Sequence, residues 1–260
     1  MRRISIILIS LLLSLFLLTS CTNSKLKSLY KSEEYEEVLV LASEILDEKI
    51  TEPALYYACA SNYRLNNLKE ATRLSELYYY LFDDKDHRKT ILRLMLFNSE
   101  PELAYQAALE LTSTTVLSKT DNIQYYKVLN DNELYTAASK HLSELMNQLT
   151  PGEAAFAVIN GNAPTWQIIS SLDNLYAKEG VSKDFVSAIK LALPIVAKSD
   201  GLDYIPILLK DTYDGSADYS IVLGDFYYSV GEDELAIKYW NNAAPIYPKV
   251  IQEREKLILR

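Results

Sequence analysis

The sequence predicts an all-α fold, a stack of helical hairpins over residues 26–260, and three observations predict it. A small residue recurs at Val38, Ala71, Ala104 and Ala137, 33 residues apart, and Ala236 lies three further intervals of 33 beyond Ala137. The seven glycines and eight prolines fall mainly where helices should stop. No segment sustains the apolar–polar alternation of a strand. A unit of this length cannot bury its own apolar face, so it is stable only when stacked on its neighbours.

Each element follows in order. The first unit has a truncated leading helix, 26–30, and Ser32-Glu33-Glu34 is expected to cap a second helix to about Glu48, its acidic first turn suiting the helix dipole. The second unit pairs a helix from Pro53 to about Leu65 with one from Asn67 to about Phe82. Pro53 suits a helix start because its missing donor is not needed there. The third pairs about 86–97 with 100–112. The fourth pairs about 121–129 with 132–149, its turn Asn130-Asp131-Asn132 offering side-chain oxygens as caps. Residues 151–215 are the least regular part and divide at glycines and prolines into about 152–159, 164–178, 182–198 and 202–213. Pro194 is expected to kink or end its helix, since it lacks an amide hydrogen and clashes with the preceding turn. After a last hairpin, 217–248, a helix with one apolar edge at Val250, Ile251, Leu257 and Ile258 caps the stack.

Leu223, Gly224, Tyr227, Gly231, Ala236, Trp240, Ala243 and Pro248 stand at the spacings of a tetratricopeptide repeat (TPR), and the last hairpin resembles that family. Ser99-Glu-Pro-Glu-Leu-Ala104 lines up with Gly231-Glu-Asp-Glu-Leu-Ala236. The resemblance implies a right-handed superhelix, a concave groove formed by the leading helices, and a protein partner. Turns one residue tighter in the early units would account for a period of 33 against the family's usual 34.

The N-terminus carries a second signal. Arg2 and Arg3 precede an apolar run, Ile4 to Leu18, broken only by three serines, and Leu18-Thr19-Ser20-Cys21 follows. This describes a secretory signal, and the run is short of the about 20 residues of a membrane span. Its ending resembles the bacterial lipobox, which implies that residues 1–20 are removed and that Cys21 receives three acyl chains. One chain binds a bilayer marginally, whereas several hold firmly. Residues 22–25 are left as a brief tether. Thr22, which is not aspartate, favours by the same analogy the outer membrane, and we expect the chain to face the periplasm.

Charge narrows the partners. The chain has net charge −9, and loss of Arg2 and Arg3 with the leader deepens it to −11. Such a body is repelled by phosphate, which argues against nucleic acid. With Cys21 committed to lipid, Cys59 has no disulfide partner and is expected to pack as a small hydrophobe among Tyr56, Ala60 and Tyr63. His87 and His141 are far apart and fit no metal spacing. Asp83, Asp84 and Asp86 beside His87 read as a solvated turn, and Asp211, Asp214 and Asp218 around Gly215 as turn and cap residues. With no phosphate loop and no nucleophile elbow in the sequence, no catalytic residue, metal or cofactor is assigned.

Twenty tyrosines cluster as Tyr56-Tyr57, Tyr78-Tyr79-Tyr80, Tyr125-Tyr126 and Tyr227-Tyr228. Adjacent helical residues point about 100° apart, so one of each pair is poorly placed for a core. The repeat register turns Tyr63 and Tyr227 inward. It turns Tyr57, Arg64, Asp225 and Tyr228 toward the groove, where they are the candidate partner contacts. The leading expectation is a lipid-anchored, non-enzymatic adaptor of the bacterial envelope. Two alternatives stand beside it: an accessory lipoprotein of outer-membrane barrel assembly, similar in size and anchoring, and a lipoprotein binding a small ligand in the irregular middle region, where Trp166 and Tyr176 would report it.

Overall fold

The computed structural model describes residues 22–258 apart from 84, 210, 211 and the side chain of Lys85. The leader, the lipobox residues Leu18, Thr19 and Ser20, and Cys21 lie outside the described residues, as do Asp84 and Asp211. Among those described, the chain is helical throughout, and no helix is long and apolar enough to cross a membrane. It divides into two compact units, 1–121 and 122–260.

The first unit holds α1 (residues 22–31), α2 (Tyr35–Glu48), α3 (Glu52–Arg64), α4 (Leu68–Leu81), α5 (Lys85–Asn98) and α6 (Pro101–Thr114). Each of α2 to α6 packs on the next, joined by turns too short for anything but an antiparallel hairpin. Residues 22–25, left as a tether by the sequence reading, are the first turn of α1. Helical rise takes them to about 6 Å instead of the extended reach. The recurring small residues Val38, Ala71 and Ala104 are buried, where a short side chain lets neighbouring helices approach closely. Leu26, Leu55, Tyr78, Ile91, Met95 and Leu111 fill the space between.

Helix α7 (Lys119–Asp131) begins at the boundary of the units. The second unit continues with α8 (Tyr135–Leu145), a 3₁₀ turn Met146–Gln148, α9 (Pro151–Asn160), α10 (Thr165–Glu179) and α11 (Lys183–Asp200). A second 3₁₀ turn, Leu202–Tyr204, leads to α12 (Ile205–Leu209), α13 (Ala217–Ser229), α14 (Asp233–Ala243) and α15 (Pro248–Ile258). Side chains cap three helices: at α7 the Asp121 amide donates to the Ser118 hydroxyl and the Ser118 amide to Asp121 Oδ2, Thr150 and Glu153 form a capping box on α9, and the Ser182 hydroxyl accepts from the Phe185 amide at the start of α11. Pro194 does not end its helix. It lies on the exposed side of α11, where the Lys190 carbonyl it leaves unbonded faces water, while Ala192, Leu193 and Val196 pack inward.

The turns correct the sequence reading in detail. Ser32-Glu33-Glu34 supplies no side-chain cap. Instead, Glu33, Asn66, Glu133 and Gly231 each adopt positive φ, between 59° and 82°. In each case the next amide donates to the carbonyl five residues back, as Asn67 does to Asn62 (2.8 Å) and Glu232 to Tyr227 (2.9 Å). These are four copies of one Schellman turn. The early turns are therefore no tighter than the last. In every copy the small residue of the following helix comes five positions later: Val38, Ala71, Ala138 and Ala236. The fourth unit thus uses Ala138, which is buried, and Ala137 is exposed. Likewise Asn130 does not cap by its oxygen: its amide donates to the Gly161 carbonyl at 2.9 Å.

Candidate functional site

The leading helices of the first unit, α1, α3 and α5, with the segment entering α7, line a groove of about 540 Å³. Tyr63 stands 45% exposed and Phe97 41% exposed, so two aromatic rings are held where a core would normally cover them. The positions are equivalent: Ala60 and Leu94, Tyr63 and Phe97, Arg64 and Asn98 are each 34 apart and each line the groove. Tyr30 takes the same place one unit earlier, 33 residues before Tyr63.

Two guanidinium groups sit among these rings in different ways. Arg64 is exposed and its Nε donates to the Tyr30 hydroxyl at 3.5 Å, a long bond that leaves most of its donors facing solvent. Arg93 forks onto Asp121, Nε to Oδ1 at 3.0 Å and Nη2 to Oδ2 at 2.7 Å. Burial works to raise the Asp121 carboxyl, but the Arg93 fork and the bonds with Ser118 outweigh it and hold it below the usual carboxylate range. The pair fixes the floor of the groove. Arg64 supplies its mobile charge.

The candidates named from sequence are distributed unevenly. Tyr57 is 8% exposed and packs its ring against Tyr30 and Tyr56, at 5.5 and 5.1 Å between centroids. It supports the groove from behind and offers no surface to a partner. Tyr57 and Arg64 are thus brought together through Tyr30. Tyr63, expected inward, faces out because its counterpart in the last hairpin is Tyr228, each three residues before a positive-φ turn residue. The inward place of Tyr227 is taken in α3 by Asn62, whose amide bonds the Ala58 carbonyl. Tyr227 is buried as expected, which pushes its hydroxyl up to about 12.

Asp225 and Tyr228 belong to the second unit. Asp225 accepts from Trp240 Nε1 at 2.9 Å and from the Arg254 fork at 2.5 and 2.7 Å, which ties α15 to α13 while leaving the Asp225 side chain 44% exposed. Tyr228, 37% exposed, tilts over the buried Trp240 at 5.7 Å. The terminal helix pairs Arg254 with the charge that the sequence reading assigned to a partner, and Asp225 and Tyr228 line, beside Trp240 and Arg254, a cleft of about 490 Å³.

Cys59 is buried, its thiol donating to the Ala71 carbonyl at 3.3 Å, and burial pushes it up to about 12. His87 is not in a solvated turn. It lies in the first turn of α5, stacks on Tyr56 at 3.7 Å, and shares Glu52 Oε1 with the Tyr78 hydroxyl. That contact ties α3, α4 and α5 together. Asp214 accepts from the Ser216 amide, the turn role expected of it, whereas Asp218 lies in the first turn of α13 and accepts from the Tyr247 hydroxyl, 29 residues away. Among the described residues no group of three or more His, Cys, Asp or Glu side chains could hold a metal ion. The groove residues missed from sequence, Tyr30, Tyr63 and Phe97, carried a signal in their spacing of 33 and 34.

No protein-family model matches the chain, and no curated protein does. Among solved structures, the C-terminal part of a TPR repeat-containing protein from Cytophaga hutchinsonii is similar to it at 15% identity, with a TM-score of 0.44. That likeness covers 87% of this chain and 96% of the other.

Proposed function

We propose that this chain is a non-catalytic scaffold that binds a segment of a partner protein along the leading-helix groove of its first unit, held at a bacterial envelope membrane by lipid on Cys21. The observation that carries the binding half is the aromatic pair Tyr63 and Phe97, half-exposed at equivalent positions of successive helices. Solvent-facing rings on rigid helices give large contact area at little entropic cost, the usual chemistry of interface anchors. Arg64, with donors to spare, adds a directional contact beside them. The anchoring half rests on the Leu18-Thr19-Ser20-Cys21 signal, nine residues before the groove begins at Tyr30. A protein tied so close to its anchor meets partners at the membrane surface, and the outer membrane's periplasmic face is the location this reading favours.

Both halves are tested on the full chain in its native cells. Labelled fatty acid should enter the wild type and not Cys21→Ala. Co-purification of a partner from solubilised membranes should fall by about tenfold or more in Tyr63→Ala/Phe97→Ala. Undiminished recovery with that double variant defeats the groove assignment, and an unlabelled wild type that retains Met1 defeats the anchor.

A further inference from the structure

The irregular middle of the second unit contains a cleft that the scaffold reading does not use. It is bounded by α8 with its 3₁₀ turn, by α9 and by α10, and holds about 420 Å³, within the about 300–1,000 Å³ typical of small-molecule sites. Its lining contains no ionisable side chain, although 23% of the chain is charged. Six of its twelve lining residues are serine, glutamine or asparagine.

One wall is a single stripe of α10. Trp166, Ser170 and Asn174 follow one another at intervals of four and therefore share a face. Trp166 is 59% exposed in the first turn of the helix and stacks on no other ring among the described residues. Gln167 beneath it is buried and fixed, accepting from the Tyr126 hydroxyl at 2.7 Å and donating to the Ser139 hydroxyl at 2.7 Å. One amide hydrogen of that donating nitrogen remains for another acceptor. The Asn174 side chain, half-buried, makes no hydrogen bond among the described residues.

These groups set the chemistry of an occupant. An anion finds no cation in the cleft and a strongly acidic chain around it. A cation finds no carboxylate. A wholly apolar occupant would strip water from the Asn174 amide and the serine hydroxyls without replacing its hydrogen bonds, a loss that opposes its own burial. What remains is an uncharged molecule with one flat apolar face for the indole and hydroxyls around its edge. We infer that this cleft binds an uncharged sugar ring, stacked on Trp166 and hydrogen-bonded by Asn174, Ser170 and the free Gln167 hydrogen.

The test is titration of the full chain, in detergent, with chitotetraose, maltotetraose and cellotetraose in turn, followed by calorimetry and by tryptophan fluorescence. At least one should bind saturably and shift the emission to the blue. Trp166→Ala, a change at an exposed site, should weaken that binding at least tenfold and remove the shift, and Asn174→Ala should weaken it at least threefold. Helical content and unfolding midpoint should match the parent in both variants. The inference is overturned if none of the three sugars binds, if Trp166→Ala binds as well as the parent, or if octanol occupies the cleft while all three sugars fail. Because the groove of the first unit is untouched by these variants, partner recovery through Tyr63 and Phe97 is read independently.

Discussion

Gly224→Ala is the substitution that probes the packing of the last hairpin most sharply. Gly224 is buried in α13 against Trp240 of α14, and a methyl group added to it would lie closer than 3 Å to Cδ1, Nε1 and Cγ of the indole. Carbon atoms pack at about 3.5–4.0 Å, and Cδ1 would lie at 2.2 Å, so the ring would have to move by roughly 1.3 Å or more. It is poorly free to do so: Trp240 is 1% exposed, and its Nε1 is bonded to Asp225, which Arg254 holds in turn. Overpacking of this kind costs about 1–3 kcal/mol. Weakening of the indole–carboxylate bond adds about 1.5 kcal/mol. The better helix propensity of alanine returns about 1 kcal/mol. The expected net loss is about 1.5–3.5 kcal/mol, measured by urea unfolding at pH 7 with circular dichroism. In a double-mutant cycle with Trp240→Ala, which removes the clashing Cδ1 and Nε1 atoms, the two losses should fall short of additivity by about 1 kcal/mol or more. Gly231→Ala is the control: nothing lies within 4 Å of its added methyl, so its cost comes from a φ of +82° and should simply add to that of Trp240→Ala. A Gly224→Ala chain as stable as its parent would refute the close approach of α13 and α14.

Three further outcomes follow from the same structure. Glu133→Gly should stabilise the chain by about 0.5–1 kcal/mol, since relief of the left-handed backbone exceeds the added entropy of glycine; a loss of stability on thermal unfolding would show that the turn is not formed. In Cys21→Ser, the Cys59 thiol should resist a disulfide reagent at pH 8 in the folded chain and react fully in denaturant, because burial holds it up to about 12; rapid native labelling would contradict that burial. Asp121, held below the usual carboxylate range in the folded state, contributes stability that is present above its unfolded value of about 3.9 and lost as pH falls through the folded value. Asp121→Asn should therefore cost about 1–2 kcal/mol at pH 7, reduced by the solvent around Arg93, and flatten the acid limb of a stability–pH curve below about pH 4.

What could be read from the sequence was whatever depends on close backbone approach. Val38, Ala71, Ala104 and Ala236 mark buried crossings because only a small side chain fits there, and that requirement leaves a period in the sequence. The helix order was legible for the same reason, down to the divisions of 151–215. The register at each turn was not. The turns are fixed by one left-handed residue, and only Gly231 and, more weakly, Asn66 advertise that conformation; Glu33 and Glu133 adopt it under tertiary constraint with no local preference for it. Counting by 33 instead of from the turn displaced Ala138 to Ala137. Aligning Tyr63 with Tyr227 instead of Tyr228 displaced a groove residue into the core. The pairing of Asp225 with Arg254 depends on how α15 folds back, a contact 29 residues away that no local pattern encodes.

The groove itself is tested most directly by photocrosslinking in cells, with benzoylphenylalanine placed singly at Tyr63, Phe97 or Tyr80 of the full chain. Tyr80 is 68% exposed on α4, a trailing helix whose residues do not line the groove, and so it controls for exposure alone. The expected result is one and the same adduct from positions 63 and 97, absent from position 80. Equal adducts at all three positions, or none at 63 and 97, would contradict a partner site between the leading helices.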